Sequence, residues 1–170
     1  MTMKRLFTAI MMLGVALLTS CKKDEIAKTA TVEMAGEWYV TVDIVDENGE
    51  LLFGEDPYGI GSFIVITSNT AENVPEKMYV SDCGNFWEFQ VPVTADPKAM
   101  TFKTEGDVAN LSYEGCNVTL TDGKITYGGA VTPSGMKVDA IEFRVVFDDD
   151  SNGFIHRIHG FRYTGLVADE

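Results

Sequence analysis

The sequence predicts an all-β domain of eight or nine short antiparallel strands, closed into a barrel or folded as a two-layer sandwich. Three observations carry this. Apolar and polar residues alternate with period two in several runs; turn-forming clusters separate those runs; and nothing after residue 21 holds a 3.6-residue apolar stripe for three turns. Alternation of this kind describes strands with one buried and one wet face.

The elements follow in order. "EWYVTVDIV" sets Trp38, Val40, Val42 and Ile44 on one face, and Tyr39, Thr41 and Asp43 on the other. "NFWEFQVPV" does the same with Trp87, Phe89, Val91 and Val93 against Glu88, Gln90 and Pro92, and "AIEFRVVFD" with Ile141, Phe143, Val145 and Phe147 against Glu142 and Arg144. Further strands are expected at 61–67, 77–81, 100–104, 117–121, 124–131 and 154–166. Asp46–Gly49, Thr121-Asp122-Gly123-Lys124 and Asp148–Gly153 read as turns, and Asp-Gly is a strong hairpin signal. Only Thr70–Glu76 has room for a helical turn, and Pro75 cuts it short.

The N-terminus belongs to a different class of segment. Lys4 and Arg5 precede an apolar run from Leu6 to Leu18. That run is shorter than the roughly 20 residues a membrane helix needs, and has the length of a signal-peptide core. Leu18-Thr19-Ser20-Cys21 resembles a bacterial lipobox, which implies a signal peptide cleaved after residue 20 and diacylglycerol on the Cys21 thiol. Each buried methylene contributes about 0.8 kcal/mol, so two or more acyl chains anchor stably where one is marginal. Lys22-Lys23-Asp24-Glu25 resembles the charged tether of surface-exported Bacteroidetes lipoproteins. The expected organisation is a signal peptide at 1–20, a lipidated N-terminus and flexible tether at 21–35, and one domain at 36–170. The expected location is the outer membrane, facing outward.

Charge narrows the partners. The full chain carries 13 basic and 26 acidic side chains, and loss of Lys4 and Arg5 leaves 11 against 26, a formal charge of −15. A nucleic-acid partner is excluded on this reading, since affinity there comes chiefly from Lys and Arg neutralising phosphates. With Cys21 lipidated, Cys83 and Cys116 remain, either as a disulfide or as two thiols. No Cys/His spacing indicates zinc, and no cofactor is expected.

Several stretches together, "AGEWYVTVD", "ITSNTAENVPEKMYVSD", "FWEFQVPV", "DGKITYGG", "DAIEFRVVFDD" and "IHGFRYTGLVADE", resemble in order and spacing the lipid-binding putative hydrolase family of Bacteroidetes lipoproteins. The resemblance spans nearly all of 34–170 and implies a lipocalin-like, calycin-type β-barrel rather than a sandwich. It defines no catalytic residues, and fold-level analogy does not establish function. Lipocalin-type barrels carry a Gly-x-Trp on the first strand and an arginine on the last. Gly36-Glu37-Trp38 and Arg162 are similar, with Arg157 as the competing arginine, which implies an indole plugging one end under a guanidinium, a pair belonging to barrel closure.

For a ligand site, Trp87, Phe89 and Phe143 are the expected apolar wall, with Tyr127 or Arg144 as polar handles. The same aromatics can equally pack an eight-stranded barrel shut. His156 and His159, three apart on one strand, should face opposite sides. No Gly-x-Ser-x-Gly elbow is present, so Ser/His catalysis finds little support. Asp148-Asp149-Asp150-Ser151-Asn152-Gly153 matches half of a calcium loop, but its twelfth position is His159 rather than glutamate, and it lies between strands, so it reads as a solvated hairpin turn. The expected function is non-catalytic binding of a hydrophobic or amphipathic small molecule. The alternatives are a filled-barrel accessory subunit of a surface nutrient-uptake system, with a surface protein as partner, and a hydrolase.

Overall fold

A computed structural model describes residues 28–170; the expected signal peptide at 1–20, the expected lipidation site Cys21 and the first part of the expected tether lie outside them. The strands are β1 (Gly36–Val45), β2 (Phe63–Asn69), β3 (Lys77–Ser81), β4 (Gln90–Asp96), β5 (Thr101–Lys103), β6 (Val108–Ala109), β7 (Asn117–Val131), β8 (Lys137–Phe147) and β9 (Ile155–Arg162). All pairings are antiparallel. The order β5-β4-β3-β2-β1-β9-β8-β7 closes through β5–β7 into an eight-stranded barrel, with β6 as an extra strand on β7. Closure removes the exposed strand edges a sandwich would have to protect.

Period two fixes what lies inside. Trp38, Val40, Val42 and Ile44 of β1 are buried, as are Ile141, Phe143, Val145 and Phe147 of β8. β9 contributes His156 and Ile158 to the interior and turns Arg157 and His159 outward. Between β1 and β9 the register runs unbroken from Trp38↔Arg162 to Val45↔Ile155. Gly160 permits this close pairing, because a Cβ there would sit 2.1 Å from the Tyr39 carbonyl oxygen.

The β5–β7 seam is narrow, with two register pairs, Thr101↔Lys124 and Phe102↔Gly123. Gly123 is required here, since a Cβ would lie 2.3 Å from the Phe102 carbonyl oxygen. Asp122-Gly123 is therefore not a hairpin turn. β7 runs through it as one 15-residue strand, with Asp122 at φ +55° and a register break between Thr121 and Lys124. A bulge of this kind sharpens the local bend, and here it bends β7 onto β5. Buried Thr104 and Asn110 extend the seam: the Leu120 amide donates to Thr104 Oγ1 at 2.9 Å and the Gln90 amide to Asn110 Oδ1 at 3.0 Å.

A second departure concerns "NFWEFQVPV". β4 starts only at Gln90, and Asp82–Phe89 forms a loop with Glu88 at φ +51°. Trp87 is thus displaced from the strand face it nominally shares with Phe89, Val91 and Val93.

One end of the barrel is plugged by Trp38. Its Nε1 donates to Thr67 Oγ1 at 2.8 Å, and that hydroxyl donates to the Met34 carbonyl at 2.6 Å. The Arg162 guanidinium carbon lies 4.3 Å from the indole centroid, while Nη1 donates to the Ala35 carbonyl and Nε to Asp139 Oδ2, both at 3.1 Å. Trp38→Ala should lower unfolding free energy by about 3–5 kcal/mol, as large aromatic truncations in cores do. Arg162→Lys, which loses the planar stack, should cost about 0.5–2 kcal/mol. Urea midpoints at constant slope measure both.

Candidate functional site

The end opposite Trp38 is built differently. Here β1, β3 and β8 finish and β2, β4 and β9 begin. Three connections converge: the β1–β2 loop, the β3–β4 loop and the β8–β9 turn. Tyr58 from the first and Phe86, Trp87 and Phe89 from the second join Phe63 of β2 and Phe147 of β8 in an aromatic cluster around His156 of β9. Trp87 stacks on Phe147 at 4.9 Å with an interplanar angle of 8°, and Phe86 bridges Tyr58, Phe63 and Trp87 at 5.4–5.9 Å.

A single carboxylate shapes the β3–β4 loop. Asp82 is wholly buried and accepts five backbone N–H groups, from Gly84, Phe86, Trp87, Glu88 and Phe89, at 2.8–3.0 Å. Donors that strand pairing would have satisfied converge on one side chain, which lets Phe86 and Trp87 leave the sheet and fold over the mouth. The Trp87 indole then donates to Asp149 Oδ1 at 2.9 Å, and the Tyr113 hydroxyl to Asp149 Oδ2 at 2.6 Å.

The β1–β2 loop supplies the outer cover. Leu51, Leu52, Phe53 and Ile60 are 41–52% exposed, and Phe53 meets Phe154 edge-on at 5.6 Å. Beneath it the Tyr58 hydroxyl meets His156 Nε2 at 2.8 Å. Burial pushes the His156 pKa below the ordinary histidine value, against the opposing pull of Asp150.

The predicted site residues fall into separate places. Phe89 and Phe143 are fully buried inside, and Trp87 is half-buried at the mouth. Tyr127 is 58% exposed, with its hydroxyl toward Glu33 on the Trp38 side. Arg144 points outward from β8, donating to the Glu47 carbonyl at 3.1 Å. These two therefore lie away from the packed interior that Phe89 and Phe143 occupy. His156 lies inside and His159 outside, where His159 Nε2 lies 3.0 Å from Asp43 Oδ2, a carboxylate also bound by Arg157 Nη2 at 2.6 Å. Burial of Asp43 raises its pKa, but these two partners outweigh it and hold the carboxyl below the ordinary value.

The polar group suited to the mouth, His156, went unassigned in the sequence, as did Tyr58 and Asp82. His156 alternates with Ile158 as an inward residue, a visible signal; Tyr58 and Asp82 sit in aperiodic loops that carry none. Cys83 and Cys116 are free thiols, the first exposed and the second buried. Cys116 Sγ and the Asp148 and Asp149 carboxylates lie within 4.8 Å of one another, the spacing of a cation site. Their lone pairs are already engaged, however. Asp148 accepts from the Asn117 amide and side chain, and Asp149 from Trp87, Tyr113 and the Cys116 thiol. Burial also raises the Cys116 pKa and keeps the thiol protonated. The group works as a clasp joining the mouth's loops. A recess of ≈ 540 Å³ outside the mouth lies over the β4–β5–β7 seam and is lined by Ala95, Phe102, Lys103 and Lys124 among others.

Two consequences are measurable. Asp82→Ala leaves the buried Phe89 amide and four part-buried loop amides without their acceptor and should cost about 3 kcal/mol, with loss of the Trp87 near-ultraviolet circular dichroism signal. For His156 the unfolded chain takes its proton near pH 6.5 while the folded chain resists it, so the unfolded state gains protons first as pH falls. Stability should therefore be complete above pH 6.5 and decline below it, and His156→Phe should flatten that decline in urea midpoints recorded from pH 7.5 to 5. Asp169 acts lower, since the Thr164 hydroxyl and the Ser134 amide outweigh its burial and hold its carboxyl at about 2.

No curated protein matches the chain at a significant level. A protein-family comparison does match, over residues 23–167, nearly the whole chain, to the family described as lipid-binding putative hydrolase. With its closed antiparallel barrel and aromatic mouth, this chain belongs to that lipid-binding putative hydrolase family.

Proposed function

We propose that this protein is an outer-membrane lipoprotein, anchored through Cys21 and facing outward, that binds a hydrophobic or amphipathic small molecule at the aromatic mouth of its barrel. Membership of a family described as lipid-binding supports a lipid-like ligand. The observation that carries the reading is the composition of the mouth: half-exposed Leu51, Leu52, Phe53 and Ile60 in one loop, over a cluster of aromatic rings. Apolar walls with a few polar groups are what small-molecule sites share. Residues 28–35 join the barrel at the Trp38 end, so a tether from Cys21 attaches on the side opposite the mouth and leaves the mouth unobstructed. Trp87 is the wall position at the mouth itself, backed from inside the barrel by the fully buried Phe89 and Phe143.

One observation favours a second reading, an accessory interaction subunit of a surface uptake system. Trp38, Phe89, Phe102 and Phe143 are each at most 2% exposed and occupy the barrel interior. A ligand confined to the mouth accommodates this packing; a ligand threaded through the barrel does not.

Native mass spectrometry of protein extracted gently from its host membrane should show a non-covalent lipid adduct beyond the acyl chains on Cys21. Adding lipid to stripped protein should shift Trp87 emission, and the shift should vanish in Trp87→Phe while Trp38 continues to report the far end. Bare protein together with an unchanged spectrum would transfer support to the accessory reading.

A further inference from the structure

The mouth holds one group that an apolar cover does not need. His156 is wholly buried, within 5.3–5.8 Å of the ring centroids of Tyr58, Phe86, Trp87 and Phe147. Its Nδ1 turns toward the Val145 backbone on the paired strand without reaching hydrogen-bond geometry. Nε2 is satisfied by the Tyr58 hydroxyl alone. A phenylalanine would fill this space without the cost of desolvating an imidazole. The partner that offsets that cost comes from the β1–β2 loop, the segment whose other large side chains stand half in solvent.

We propose that the Tyr58–His156 hydrogen bond is a latch over the binding site, and that the polar head of the ligand replaces the Tyr58 hydroxyl on His156 Nε2 while its alkyl chain lies under the Leu51–Phe53 loop. This rests on the lipid-binding reading above and specifies the class of lipid. The charged groups tied to the cage by contacts or by their action on His156 are acidic: Asp82 in the β3–β4 loop, Asp149 bonded to Trp87, and Asp150 in the β8–β9 turn, whose charge acts on His156, whereas Arg144, which touches the β1–β2 loop, does so from the outer face of β8 and is paired with Asp122. A carboxylate or phosphate head would meet these charges at short range with a neutral imidazole as its only partner. A hydroxyl head replaces the tyrosine hydroxyl like for like, donating or accepting as the imidazole tautomer requires. The ligand is therefore an acyl lipid with an uncharged hydroxyl head, of the monoacylglycerol type.

The test uses the mature full chain and Trp87 emission, titrated with 1-monolauroylglycerol, with laurate of equal chain length, and with dodecane, each below its aggregation concentration. The hydroxyl-headed lipid should bind at least about 10-fold tighter than either, the range of one good hydrogen bond. Tyr58→Phe, which removes the competing hydroxyl, should tighten monolauroylglycerol about 5-fold by raising the open fraction, while His156→Phe should erase its preference over laurate. Laurate or dodecane binding as tightly as monolauroylglycerol, or an unchanged affinity in Tyr58→Phe, overturns the latch and leaves the lipid reading standing. Failure of all three probes to bind overturns both. Should His156→Phe lose its near-ultraviolet signature, Tyr58→Phe and the head-group series decide the question.

Discussion

Closure of the sheet is the constraint on which the rest depends. β1 must pair on both edges, with β2 and β9, and β7 must reach β5 across a seam of two residue pairs. Two glycines make this sterically allowed: Gly160, where β9 passes over Tyr39, and Gly123, where β7 meets the Phe102 carbonyl. Neither position has room for a methyl group. Without the seam, the inward faces of β1, β4 and β8 would have no common interior, and neither end of the tube would exist to be plugged or covered.

The two ends use opposite strategies. At the Trp38 end a single indole is fixed by the Thr67 hydroxyl, itself donating to the Met34 carbonyl, and by the guanidinium stacked on its face. The indole N–H, the Thr67 hydroxyl and the Arg162 guanidinium at that end are all engaged. At the other end the rings come from three loops and are held by carboxylates, Asp82 gathering amides and Asp149 gathering an indole, a phenol and a thiol. Loops joined by side chains open more readily than strands joined by backbone ladders, which suits the ligand entry proposed for this end.

Strand positions were largely legible because alternation responds to burial alone: the β1 and β8 faces appear in the sequence as they do in space. Local signals failed where a distant partner set the geometry. Asp122-Gly123 has hairpin chemistry, yet the need to meet β5 keeps β7 running through it as a bulge. Trp87 keeps period two with Phe89, yet Asp82, five residues earlier, withdraws the intervening amides from strand pairing. Tyr127 was expected near the chamber, and the second register break of β7, between Thr126 and Ala130, leaves it exposed. The Tyr58–His156 contact joins residues 98 apart and is invisible to any periodicity.

Residues 28–35 and the segment after β9 share one rim: Ala35 is held by Arg162, and the Tyr163 amide donates to the Glu37 carbonyl at 2.9 Å. Both of these segments lie on the side away from the aromatic end. A short bridge across that rim would turn the polypeptide into a ring, and cutting the ring at an exposed hairpin would give permuted versions with the same tube, since compact domains whose ends lie close together tolerate this rearrangement. Appended passengers would likewise hang from the plugged side and leave the open face unobstructed.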